Sequence, residues 1–125
     1  MLLTNSPVIP TLPVVDLQRA VSFYKDKLGL AVEKSMAGGV IIKCGEGTKL
    51  LLYQRAQTKA DNTAAGFSVE NLVETIKELK DKGVVFEQYD LPGLKTNEDG
   101  IVDDGTTKSS WFKDTEGNII AVTQM

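Results

Sequence analysis

Side chains able to do covalent chemistry are scarce in this sequence, and one type is missing altogether. None of the 125 residues is a histidine. The usual general base near neutral pH and the commonest metal ligand are therefore absent. Serine–histidine–aspartate and cysteine–histidine catalysis are excluded with it. Cys44 is the only cysteine. A catalytic thiol there lacks an activating base, and a zinc site made of cysteine and histidine cannot be assembled. Carboxylate chemistry and non-covalent binding remain open. Glu87 is the candidate base, acting next to a carbonyl, and it needs an apolar cleft that raises its pKa. Glu33 is a second such residue, and a solvated strand face accounts for either. The candidate walls of a ligand cleft are Tyr53, Phe67, Tyr89, Trp111 and Thr123, with Phe112, Gln54 and Gln124 beside them. Small-molecule sites combine apolar and aromatic walls with a few placed polar groups, and these residues supply both. Trp111 is the sole tryptophan, and packing or a dimer contact is its competing role.

Composition narrows the classes further. Hydrophobic residues make up 42% and charged residues 25%, as in ordinary globular domains, and the length suits one domain with a real core. The net charge is −3, with no basic patch that would predict nucleic-acid binding. No apolar run is long enough for a membrane span. The start, "MLLTNSPVIPTLPVV", carries three prolines and no basic region. It reads as a disordered start leading into a first strand, not a signal peptide. With a single cysteine and no disulfide, a cytoplasmic location is expected.

The candidate residues need a scaffold, and the chain writes one twice. "LPVVDLQRAVSFYKDKLGL" and "FSVENLVETIKELKDKGVVF" align with Val14 on Val69 and Asp16 on Asn71, an offset of 55 residues. Each copy predicts a strand, a cap, a helix and a glycine stop. Asp16 caps a first helix whose apolar stripe is Leu17, Ala20, Val21, Tyr24 and Leu28, and Gly29 ends it. Asn71 caps a second helix, with Glu74 placed as in a capping box, and Gly83 ends it. Strands are predicted over 31–35, 40–44 and 49–54, then over 84–89, 109–113 and 119–124. The fold class is α+β: two βαβββ modules, at 7–55 and 64–125, in one domain. Such modules form a curved mixed sheet around a cleft, with the helices outside. The stretch from Asp90 to Lys108 is long and acidic. Loops of that length are often lids, and its charge would favour a cationic ligand.

The first of these copies resembles the opening of vicinal oxygen chelate proteins, the family of glyoxalase I, bleomycin resistance proteins and extradiol dioxygenases. "WFKDTEGNIIAV" resembles the family's closing motif, an aromatic strand followed by Asp-x-x-Gly-Asn and a last strand. The likeness runs from about Val8 to Gln124. It implies four metal-ligand positions in the enzymatic branches, which fall here on Ile9, Ala64, Ala121 and somewhere within 49–52. None of these carries a suitable donor. The resemblance therefore implies a metal-free protein without cofactor, like the bleomycin-resistance branch. Such a protein binds a small organic molecule in its cleft, with a cationic or aromatic antibiotic among the candidates. The alternatives are a metal-independent isomerase or lyase with Glu87 as base, and a regulatory module that has lost its chemistry. A homodimer is expected, because a short chain of this fold leaves a sheet edge to cover.

Overall fold

Two helix caps set the frame. The Asp16 side chain accepts the Arg19 amide at 3.0 Å, and the Asn71 side chain accepts the Glu74 amide at 3.1 Å. Each satisfies a first-turn N–H that no helical carbonyl can reach. The computed structural model describes residues 2–125; of the expected disordered start, Met1 lies outside them. After strand β1 (Thr11–Val14) the chain forms α1 (Leu17–Ser22) and continues as a π turn over Phe23–Lys27. The apolar spacing predicts a regular α-helix here, and the wide last turn is a departure from it. That turn carries Phe23 and Tyr24, both of which contact the second module. The Phe23 ring lies 6.1 Å from the Phe112 ring, and the Tyr24 hydroxyl donates to Asp114 at 2.7 Å. Gly29, at φ +73°, ends the helix.

Strands β2 (Ala31–Met36), β3 (Gly39–Lys43) and β4 (Lys49–Gln54) complete a sheet in the order β1-β4-β3-β2, with β1 parallel to β4. The second module repeats the scheme with β5 (Thr63–Ser68) and α2 (Leu72–Asp81). The register repeats as well. Thr11 lies beside Leu51 in the first sheet, and Gly66 beside Ala121 in the second.

The module copies diverge after α2. A strand over 84–89 is expected, and only a bridge between Phe86 and Phe112 forms. Glu87 N–H still reaches the Trp111 carbonyl at 2.8 Å. Two residues later Thr96 diverts the backbone: its hydroxyl accepts the Tyr89 amide and its own amide donates to the Tyr89 carbonyl, both at 2.9 Å. The chain turns there into a small hairpin of β6 (Asp90–Leu91) and β7 (Leu94–Lys95). The edge place is taken by β8 (Val102–Asp103), followed by β9 (Lys108–Lys113) and β10 (Ile119–Gln124) in the order β5-β10-β9-β8. Residues 90–108 are thus no free lid. Ile101 is buried in the core, and with Asp99 it lines a hollow against Val73, Ile76 and Lys77 of α2.

One core serves both modules. Leu12, Val14, Ile42, Leu50 and Leu52 of the first sheet join Phe112, Ile120 and Val122 of the second, with Leu72 and Ile76 of α2 and Tyr24 between. Strand alternation assigns these residues to the helix-bearing face of each sheet. The two helix-bearing faces therefore share one interior, and the opposite faces look away from it. No helix among the described residues is long and apolar enough to cross a membrane.

Gly100 is the most crowded glycine among the described residues. Its φ is +83°, and a Cβ there would lie 3.1 Å from the Glu87 carbonyl and 3.5 Å from the Phe86 Cβ. Gly100→Ala is expected to cost about 1–3 kcal/mol, from the positive φ and the crowding together. Urea denaturation of the two proteins measures it.

Candidate functional site

The closing motif does structural work first. Asp114, Glu116 and Asn118 are all buried. One oxygen of Asp114 accepts the Glu116 and Asn118 amides at 2.8 and 2.9 Å. The other accepts the Tyr24 hydroxyl and the Asn118 side-chain amide. Asn118 also donates to the Pro13 carbonyl at 2.9 Å. Glu116 reaches back to the start of α1. Its Oε1 accepts the Val15 and Asp16 amides at 2.9 Å each, and its Oε2 accepts Arg19 Nε at 2.8 Å and the Thr115 hydroxyl at 2.7 Å. Sequence reasoning assigns a turn role to Asp114 and Asn118 and passes over Glu116. Nothing in "KDTEGN" distinguishes that glutamate, whose partners lie about a hundred residues earlier in the chain.

These bonds leave the outward faces of both sheets free of the core. On the second sheet, Trp111 lies opposite Ala121, and Ser109 opposite Thr123, their hydroxyl oxygens 3.3 Å apart. Tyr89 meets Trp111 edge-to-face, with ring centroids 5.7 Å apart. Glu87 lies 3.5 Å from the Lys113 ammonium. Burial, and next the charge of Glu87, push the Tyr89 hydroxyl up from its ordinary pKa. Gly66 and Ala121 form a floor of small residues beside the aromatic pair. Tyr89, Trp111 and Thr123 are thus brought onto one face, together with Glu87.

Tyr53 and Phe67 fall elsewhere. Tyr53 is half-buried on the outward face of the first sheet, with Leu51 and Ile41. Phe67 departs from the expected cleft wall. It lies in register with Val122 and so points to the inner side. There it packs against the core and lines a groove of about 630 Å³ between the modules, with Pro10, Leu50 and Ala65. The repeat itself held this signal, because the 55-residue offset places Phe67 on Leu12, a core residue. Gln124, another candidate wall, is drawn inward to accept the Leu72 amide at 2.8 Å. Cys44 is half-buried at the groove, and burial pushes its thiol up from the ordinary value.

The fold places the family's metal positions sharply enough to test them. Ala121 pairs with Gly66 as Leu51 pairs with Thr11, so Leu51 is the position that sequence alone leaves within 49–52. The four positions are then Ile9, Leu51, Ala64 and Ala121. A divalent ion needs several oxygen, nitrogen or sulfur donors, and these four side chains offer none. The residues present do not fit a metal at this place.

The sequence model of the glyoxalase/bleomycin resistance protein/dioxygenase superfamily matches residues 7–122. The chain belongs to that family. Among solved structures it is similar to a lactoylglutathione lyase from Agrobacterium tumefaciens, with a TM-score of 0.70 and 21% identity over 97% of this chain and 95% of that one. It is similar to the fosfomycin resistance protein FosX from Listeria monocytogenes, with a TM-score of 0.70 and 16% identity over 97% and 93%. An integron cassette protein from V. cholerae matches at a TM-score of 0.64 and 24% identity over 98% of both chains. At these identities the likeness is one of fold. Among curated proteins none matches the sequence. Family membership and the α+β architecture of two four-stranded mixed sheets thus agree with the reading of the two motifs.

The Glu116 contacts predict an acid response. Hydrogen bonds from Arg19 lower the Glu116 pKa most, and the backbone and Thr115 donors add to this, bringing it from 4.5 to about 2 despite burial. The folded state thus favours the carboxylate. Its stabilisation is complete above about pH 4.5 and fades as the pH falls toward 2. Urea midpoints measured across that window should fall for the native sequence. Glu116→Gln should be less stable at neutral pH and show a shallower fall.

Proposed function

We propose that this protein binds a small organic molecule without a metal or cofactor, in a cleft completed by a second copy of the chain. One observation carries the reading: the helix-bearing faces share a single interior, so the two outward faces of one chain do not enclose a common space. Each outward face nonetheless carries half-exposed apolar and aromatic groups. Tyr53, Leu51 and Ile41 stand on the first sheet, and Tyr89, Trp111 and Ala121 on the second. In a dimer the first sheet of one copy would face the second sheet of the other. Aromatic walls, a floor of small residues and the hydroxyls of Ser109 and Thr123 would then surround one ligand. Recognition by stacking and hydrogen bonding requires no covalent step. Glu87 has the Lys113 ammonium 3.5 Å away as a counter-ion, whereas a carboxylate base needs an apolar setting. That arrangement favours binding over the isomerase or lyase alternative.

Light scattering on the purified protein should show a dimer. A thermal-shift screen of cationic glycopeptide drugs and planar aromatic compounds should yield stabilising ligands. Against such a ligand, Tyr53→Ala and Trp111→Ala should each weaken binding about tenfold, the cost of losing one aromatic contact. A monomer whose binding depends on Trp111 alone overturns the two-copy cleft. Failure of every compound in the screen counts against the drug-binding form of the proposal.

A further inference from the structure

We propose that the outward face of the second sheet reads positive charge on its ligand through Glu87, and that Lys113 holds this carboxylate in the free protein as an internal stand-in for the ligand's ammonium. The inference rests on that face being the ligand site proposed above.

Three features on one surface point the same way. The Glu87 backbone N–H is bonded to the Trp111 carbonyl at 2.8 Å, which sets the two residues side by side along the sheet. Tyr89 and Trp111 meet edge-to-face, and the negative face of an aromatic ring attracts cations. The Tyr89 hydroxyl responds to the Glu87 charge, so carboxylate and rings share one electrostatic neighbourhood. An organic cation gains from all of these groups. An anion would gain from Lys113 and the nearby hydroxyls, but it would meet the Glu87 carboxylate and the negative face of the aromatic pair. The net charge of −3 adds a weak bias of the same sign.

Lys113 is suited to stepping aside. Its ammonium is 3.5 Å from Glu87, at the long end of ion-pair distance, and its side chain is 52% exposed against 27% for Glu87. Exposed pairs of this kind contribute little to stability. A ligand ammonium can therefore replace the lysine while the carboxylate stays in place. The replaced side chain returns to solvent, and no buried charge is left unpaired. No proton transfer or bond change is involved.

The test compares two probes of nearly equal shape, naphthylmethylamine and naphthylmethanol, by titration calorimetry. The native protein should bind the amine about tenfold more tightly than the alcohol, as a desolvated cation–π contact with a carboxylate partner predicts. Glu87→Gln should bring the two affinities within about twofold by weakening the amine alone. Its unchanged affinity for the alcohol also shows that the variant is folded. Lys113→Met should strengthen amine binding severalfold and leave the alcohol unaffected. If both probes bind and Glu87→Gln keeps the preference for the amine, the role of Glu87 is overturned and the site stands. If neither probe binds, the face is not a site for aromatic ligands, and both proposals fall together.

Discussion

The chain depends on two buried carboxylates in its closing turn. Asp114 and Glu116 are taken out of water, which is costly for an unpaired charge. Here the carboxylate oxygens have donors, and the donors come from both modules. Tyr24, Arg19 and the amides of Val15 and Asp16 belong to the first. The Asn118 and Glu116 amides belong to the second. No buried side-chain nitrogen or oxygen lacks a partner among the described residues. The turn thereby fastens the β1–α1 junction to the end of the second sheet. With that junction fixed, the helix-bearing faces turn toward each other, and the outward faces are left for other contacts.

This arrangement explains which parts of the sequence were legible. Local rules wrote the caps and stops: Asp16 and Asn71 accept amides three residues on, and Gly29 and Gly83 sit at positive φ. The strands of the first module follow from alternation between clear turns. These features depend on neighbours within a few residues, which a sequence displays. Glu116 depends on residues a hundred positions away, and its chemistry is invisible without them. Residues 84–89 have strand composition, and the strand fails for a tertiary reason: Thr96 supplies competing bonds to Tyr89. Propensity is a weak guide where a nearby hydroxyl offers the backbone another partner.

The candidate site shows the same division. Trp111 and Thr123 follow from the alternation of β9 and β10, and their shared face is legible once Ala121 is placed. Tyr89 joins them through a bridge and a ring contact that no periodicity announces. Phe67 follows its repeat partner Leu12 to the inner side of its sheet, in register with Val122, where it lines the groove between the modules. Tyr53 lies on the right kind of face in the wrong module for a one-chain cleft. The proposed two-copy cleft is the arrangement that would bring it to one site with Trp111.

Without donors at the family's metal positions, the proposed recognition must rely on other groups. Ile9, Leu51, Ala64 and Ala121 form two pairs related by the internal repeat, and both pairs are apolar. A metal site would give the cleft floor a strong charge and several oriented donors. An apolar floor supplies neither, and it gains by excluding water from whatever lies on it. Directional interactions must then come from the rim. On the second sheet that rim holds the Tyr89–Trp111 pair, the hydroxyls of Ser109 and Thr123, and the single carboxylate of Glu87 beside its lysine. Electrostatic contacts strengthen when water is removed. A carboxylate at the edge of a dry floor would therefore discriminate charge more sharply in a closed two-copy cleft than on the open face of one chain. In the proposed two-copy cleft, dimerisation and charge selection would depend on the same burial.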